Sequence, residues 1–173
     1  MKSILFSFVL IICLCFLTYQ GKAQINSDSE KIPKDLSITL EESACVEFNH
    51  CPEYKLTIDY TGKVNFEGYK NTFIAGKAEG TISKENIRSI VSAFEKARFF
   101  EMQDYYQDEK EDGCKVVGFD MPSWTISIQM NGKTKKVVHY KGCTIGDSLD
   151  RFFHLRQTIN SLTNSKQWVY DTK

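Results

Sequence analysis

One stretch limits the possible folds of this chain more than any other. Residues 123–140 read SWTISIQM-NG-KTKKVVHY, two extended runs on either side of Asn131-Gly132. An Asn-Gly pair between such runs predicts a two-residue type I′ turn, in which both central residues adopt positive φ. Counting back from that turn sets Ile126 opposite Val137 and Trp124 opposite His139. An antiparallel hairpin is therefore a fixed part of the fold, and an all-helical architecture is excluded.

Other segments extend the sheet. In LSITLEES, Leu36, Ile38 and Leu40 alternate with Ser37, Thr39 and Glu41. In YKLTIDY, Tyr54, Leu56, Ile58 and Tyr60 share one face, and KVNFEG follows after Thr61-Gly62. A two-residue turn there would set Leu56 opposite Glu67 and mix the faces. A three-residue loop, Tyr60-Thr61-Gly62, sets Ile58 opposite Val64 and Leu56 opposite Phe66, with Gly62 at the left-handed position. The second register keeps the apolar set together, because a slip of one residue turns every side chain over. NTFIAGKAEGTIS is a further extended stretch, weakened by Gly76 and Gly80.

Two helices follow from the 3.6-residue period. Ser83 is the expected N-cap of the first, with Asn86 where a capping box would carry an acid. Its apolar positions are Ile87, Ile90, Val91, Phe94 and Ala97, and Phe99 and Phe100 are expected to plug the core behind it. The second, GDSLDRFFHLRQTINSL, is capped by Asp147 or Ser148 and lined by Leu149, Phe152, Phe153, Ile159 and Leu162. A short tail holds Trp168. Between the helices, residues 103–120 form an acidic, irregular excursion that is long for a compact domain. The expected class is α+β: an antiparallel sheet of about six strands with two helices packed on one face.

The chain starts with Met1-Lys2, an apolar run from Ile4 to Leu17, and the small-x-small sequence Gly21-Lys22-Ala23. This is the pattern of a secretory signal peptide cleaved after Ala23. The run is too short to span a bilayer as a retained anchor, and no later segment is long and apolar enough to cross one. Residues 1–23 are thus the expected signal peptide, 24–35 a flexible leader, and 36–169 a single globular domain. Of 22 basic side chains, Lys2 and Lys22 leave with the signal, so 20 remain against 22 acidic ones. A chain so close to neutral carries no electrostatic case for nucleic acid or anionic lipid.

Cleavage also removes Cys13 and Cys15, leaving Cys45, Cys51, Cys114 and Cys143. An even number of cysteines in an exported chain reads as two disulfides, with three connectivities open from spacing alone. The segment CVEFNHC has five residues between its cysteines, wider than a zinc knuckle, and lacks the Cys-x-x-Cys of a redox helix. Compartment and spacing favour a structural clip between Cys45 and Cys51, which leaves Cys114 to pair with Cys143 and tie the acidic excursion to the end of the last strand.

No catalytic constellation is expected. None of the three histidines has an obvious nucleophile beside it, Cys51 next to His50 being expected in a disulfide, and no Gly-x-Ser-x-Gly occurs. His50 is the residue next to the clip, His139 is expected to pack on Trp124 at a sheet edge, and His154 lies on a solvated helix face. Asp108, Asp112 and Gly113 match three positions of a calcium loop, but Lys110 and Phe119 occupy two ligand positions. No metal or other cofactor is expected. The candidate binding residues are His50, Asp108, Asp112, Trp124 and His139.

The order of features is similar to that of a bacterial family known as domain of unknown function 6438. The resemblance rests on CPEYKLTIDYTGKVNFEG, on GTIS leading to AFEKARFFEM, on DMPSWTISIQMNGKTKKVVHY, and on the final helix and tryptophan. It spans residues 36–169. Family members typically carry two closer cysteines, often with a glycine between; here residues 46–50 widen the gap. The resemblance implies a fold and an exported setting, and no activity. The expected function is a non-catalytic binding or accessory module of the cell envelope with an unidentified protein or envelope ligand. The alternatives are an inhibitor of a secreted or envelope enzyme and a metal-dependent enzyme using His50 or the acidic loop.

Overall fold

In the computed structural model, residues 31–43, 45, 51–107, 114–116, 118, 120–144 and 146–171 are described, with Val116 and residues 146–148 as backbone alone. The expected signal segment, residues 24–30 of the leader, His50, the calcium-like positions 108–113 and 119, and the capping side chains of Asp147 and Ser148 lie outside the described residues.

Strict alternation is clearest in the first three strands. Strands β1 (Ser37–Glu42), β2 (Glu53–Asp59) and β3 (Lys63–Lys70) are followed by β4 (Gly76–Thr81). Helix α1 (Lys84–Lys96) and a 3-10 turn (Phe99–Glu101) lead to two short strands, β5 (Tyr105–Tyr106) and β6 (Lys115–Val116). The hairpin strands β7 (Ser123–Met130) and β8 (Lys133–Tyr140) precede a short β9 (Cys143–Thr144). Helices α2 (Gly146–Thr163) and α3 (Lys166–Val169) complete the chain.

The main sheet has seven strands in the order β4-β3-β2-β1-β7-β8-β5, and β6 pairs with β9 in a separate two-stranded ladder. The expectation of about six strands missed β5. That strand is two residues long, lies inside the excursion expected to be irregular, and pairs parallel to β8, with Tyr106 beside His139. Every other ladder of the sheet is antiparallel.

Both expected registers are present. Ile58 faces Val64 and Leu56 faces Phe66 across a loop in which Gly62 has φ +90. Ile126 faces Val137 and Trp124 faces His139 across a turn in which Asn131 and Gly132 have φ +53 and +72. At both turns a carboxylate supports the backbone. Asp59 accepts from Thr61 N at 2.8 Å and Lys63 N at 3.2 Å. Asp35 accepts from Asn131 N at 3.0 Å and Gly132 N at 2.7 Å. The end of the expected leader is therefore tied to the hairpin turn, and Ile32 packs against the core.

One face of the sheet carries the core. Ile38, Leu40, Leu56, Ile58, Val64, Phe66, Ile126, Ile128 and Val137 are buried in one cluster with Ile87, Ile90 and Phe94 of α1 and Phe152, Leu155 and Ile159 of α2. Helix α1 starts where expected: the Ser83 side chain accepts from Asn86 N. The expected plugs separate, because the 3-10 turn after Arg98 at φ +52 sends them apart: Phe99 is buried edge-on against Phe94 and Phe100 is exposed. Tyr60 is also exposed, since it belongs to the loop and not to the strand. Trp168 is held by the short helix α3 and packs on Phe66, ring centroids 5.4 Å apart. Among the described residues no helix is long and apolar enough to cross a membrane.

Candidate functional site

The strand registers align one row of side chains across the sheet. Tyr54 of β2 is opposite Glu42 of β1, Glu42 is opposite Trp124 of β7, Trp124 is opposite His139 of β8, and His139 is beside Tyr106 of β5. All five are buried, His139 completely. Each brings a polar group into the last layer of the core, where the alternation of Leu36, Ile38 and Leu40 continues into a carboxylate.

Helix α2 lies over this row. Arg156 reaches Glu42 with Nη2 at 2.6 Å from Oε2, and both side chains are shielded, at 17% and 6% exposure. Its guanidinium carbon stands 4.1 Å from the centre of the Trp124 ring, with the Lys141 ammonium 5.5 Å from the same centre. A guanidinium so placed is held by a carboxylate and an aromatic face together. Burial drives the Tyr54 hydroxyl well above the usual tyrosine range, against the opposing pull of the nearby Arg156 charge. Tyr170, exposed beside the same pair, is raised by burial first and by the Glu42 charge second.

At the other end of the row, His139 Nε2 lies 3.1 Å from the Cys143 carbonyl oxygen. A carbonyl only accepts, so Nε2 carries the proton. Phe152 and Phe153 close over the imidazole, with ring centroids at 5.6 and 5.4 Å, and Trp124 flanks it at 5.9 Å. The expected packing of His139 on Trp124 is present, but not at an edge, because β5 covers β8. His154 is exposed, as expected of its helix face.

Both disulfides stand at this same end of the sheet. Cys45 pairs with Cys51 just beyond the last residues of β1, and Cys114 pairs with Cys143 just beyond β8. These are the two expected pairings. Strands β1 and β8 run in the same direction, each antiparallel to β7, so their C-terminal ends coincide. Tyr140 reinforces the second crosslink: its hydroxyl donates to the Gly118 carbonyl and accepts from Met121 N, both at 3.1 Å.

Of the sequence-derived candidates, the structure brings Trp124, His139, Cys45, Cys51, Cys114 and Cys143 to one end, whereas His50, Asp108 and Asp112 lie outside the described residues. Glu42, Arg156 and Tyr106 were missed. For Glu42 the signal was present, since its parity in LSITLEES puts it on the buried face. Among the described residues no group of acidic, histidine and cysteine side chains has the geometry to hold a metal ion.

The profile of a family described as a domain of unknown function, DUF6438, matches residues 36–161. The chain belongs to that family. No curated protein matches it. In this DUF6438 member the matched span runs from the residue before β1 into α2, so the polar row, Arg156 and all four bridged cysteines fall inside the family domain.

Proposed function

We propose that the protein is an exported, non-catalytic binding or accessory module of the cell envelope, and that its partner docks on the crosslinked end of the sheet. The observation that carries this reading is that the carboxylate and the imidazole of that end are engaged internally. Glu42 is neutralised by Arg156, and the protonated nitrogen of His139 is spent on a backbone carbonyl. A carboxylate that serves as a buried counter-ion is a poor general base, and an imidazole enclosed by Phe152, Phe153 and Trp124 is out of reach of a substrate. Among the described residues this end presents the exposed side chains of Met121 and Tyr170 beside the two disulfides. Two disulfides suit an oxidising compartment, and the signal-like start of the chain supports export.

The test is crosslinking from defined positions. A photo-reactive residue at Tyr170 or Met121 is expected to capture a partner from envelope extract, and one at Thr61, at the opposite end of the sheet, is not. Capture from Thr61 alone contradicts the docking end. An active enzyme that is captured and loses activity on adding the protein turns the reading to an inhibitor. Stoichiometric zinc or calcium in the purified protein overturns the non-catalytic reading.

A further inference from the structure

The two edges of the main sheet are unlike. Edge strand β5 offers only two residues, a length too short to template another strand. Edge strand β4 is six residues long, contains no proline, and keeps an unbroken register with β3 from Lys63–Thr81 to Gly68–Gly76. The direction of its backbone groups follows from one hydrogen bond. Ile82 N donates to the Gly62 carbonyl at 2.9 Å, so Gly62–Ile82 is a bonded pair of the antiparallel ladder. Bonded and non-bonded pairs alternate. Gly80, Ala78 and Gly76 therefore bond to β3, and the N–H and C=O groups of Lys77, Glu79 and Thr81 aim away from it. Lys77, Glu79 and Thr81 are all exposed.

We propose that β4 is a self-association edge, pairing antiparallel with β4 of a second copy about a two-fold axis at Ala78. Charge selects this register. A two-fold centred on Lys77 sets lysine against lysine, and one centred on Glu79 sets glutamate against glutamate. Centring on Ala78 sets Lys77 opposite Glu79 of the second copy, and Glu79 opposite its Lys77. These are outward-aimed residues, so each such pair exchanges two backbone hydrogen bonds, and directly opposite unlike charges stabilise a strand pair. The contact is isologous and closed, which stops growth at a dimer whose two sheets are continuous.

The test is charge reversal followed by sedimentation of the purified, disulfide-intact protein over a range of concentrations. The wild type is expected to show a mass that rises with concentration from monomer toward dimer. Lys77→Glu places glutamates opposite each other at both pairs, and Glu79→Lys places lysines there; each single variant is expected to stay monomeric. The double reversal restores unlike pairs and is expected to restore the dimer. Mixing the two single variants is expected to give a heterodimer, because each supplies the charge the other lacks. Thermal unfolding of each variant confirms that it is folded. A wild type that is monomeric throughout overturns the proposal, as does a dimer indifferent to Lys77→Glu or a double reversal that remains monomeric.

Discussion

The two ends of the sheet are held by different physics. At the turn end, backbone geometry and two half-buried carboxylates do the work. Asn131, Gly132 and Gly62 take positive φ, and Asp35 and Asp59 accept the N–H groups that the turns leave over. All of this is local in sequence except Asp35. At the opposite end the connections from β1 to β2 and from β5 to β7 are longer, beside the Lys141-Gly142 turn after β8 and a β3–β4 connection with Asn71 at φ +54. They are held by two disulfides and by a buried row of polar side chains tied to α2, whose partners lie far apart in the chain, 114 residues apart for Glu42 and Arg156. The two long connections receive covalent help; the short turns at either end are shaped by backbone geometry.

The largest expected effect breaks the disulfide end. Glu42→Ala leaves the Arg156 guanidinium shielded without its carboxylate, and loss of one partner of a buried pair costs about 3–5 kcal/mol. Denaturant unfolding measures it. The double variant Glu42→Ala with Arg156→Met is expected to recover part of the loss, since it removes the stranded charge as well.

Next come the crosslinks. On the loop-closure relation, freeing the bridge with a sequence separation of 29 removes about 3.6 kcal/mol, and freeing the clip with a separation of 6 about 2.2 kcal/mol. Paired serine variants, unfolded in denaturant, are expected to fall in that order. Equal losses would show that loop length is not what sets their contribution.

At the turn end the expected effects are smaller. Gly62→Ala forces a side chain into φ +90 with its Cβ 2.3 Å from the Ile82 carbonyl, a strain of about 1–3 kcal/mol. A drop in melting temperature with the α1 cap retained measures it. Smallest is Asp35→Asn. The Gly132 N–H is the main cause that lowers the Asp35 pKa below the usual aspartate value. A lowered folded pKa means that the carboxylate stabilises the fold above the unfolded value, near pH 4, and that this contribution disappears as pH falls through the folded value. Wild type and variant are expected to differ slightly at neutral pH and to converge in acid.

The same division decides what could be read in the sequence. Asn131-Gly132, the Tyr60–Gly62 loop and the Ser83 cap are local chemistry, and each set its register or boundary correctly. The disulfide pairing was legible from spacing and the compartment that the sequence led one to expect. Strand β5 was not, because two tyrosines in an acidic stretch have no period, and their pairing depends on β8, more than thirty residues on. Arg156 was hidden for the same reason: on its helix it looks like a solvated residue beside His154, and only the tertiary fold sets it over Glu42 and Trp124. Glu42 shows the limit of treating charge as a sign of exposure, since strand parity was the stronger guide.

The central claim is that the two ends are stabilised independently. Hydrogen–deuterium exchange before and after reduction of both disulfides tests it most directly. The account predicts that reduction lowers protection at 51–54, 120–124 and 139–144, and leaves the amides at 56–66 and 126–137 protected. Equal loss of protection at both ends, or no loss at the disulfide end, would contradict it.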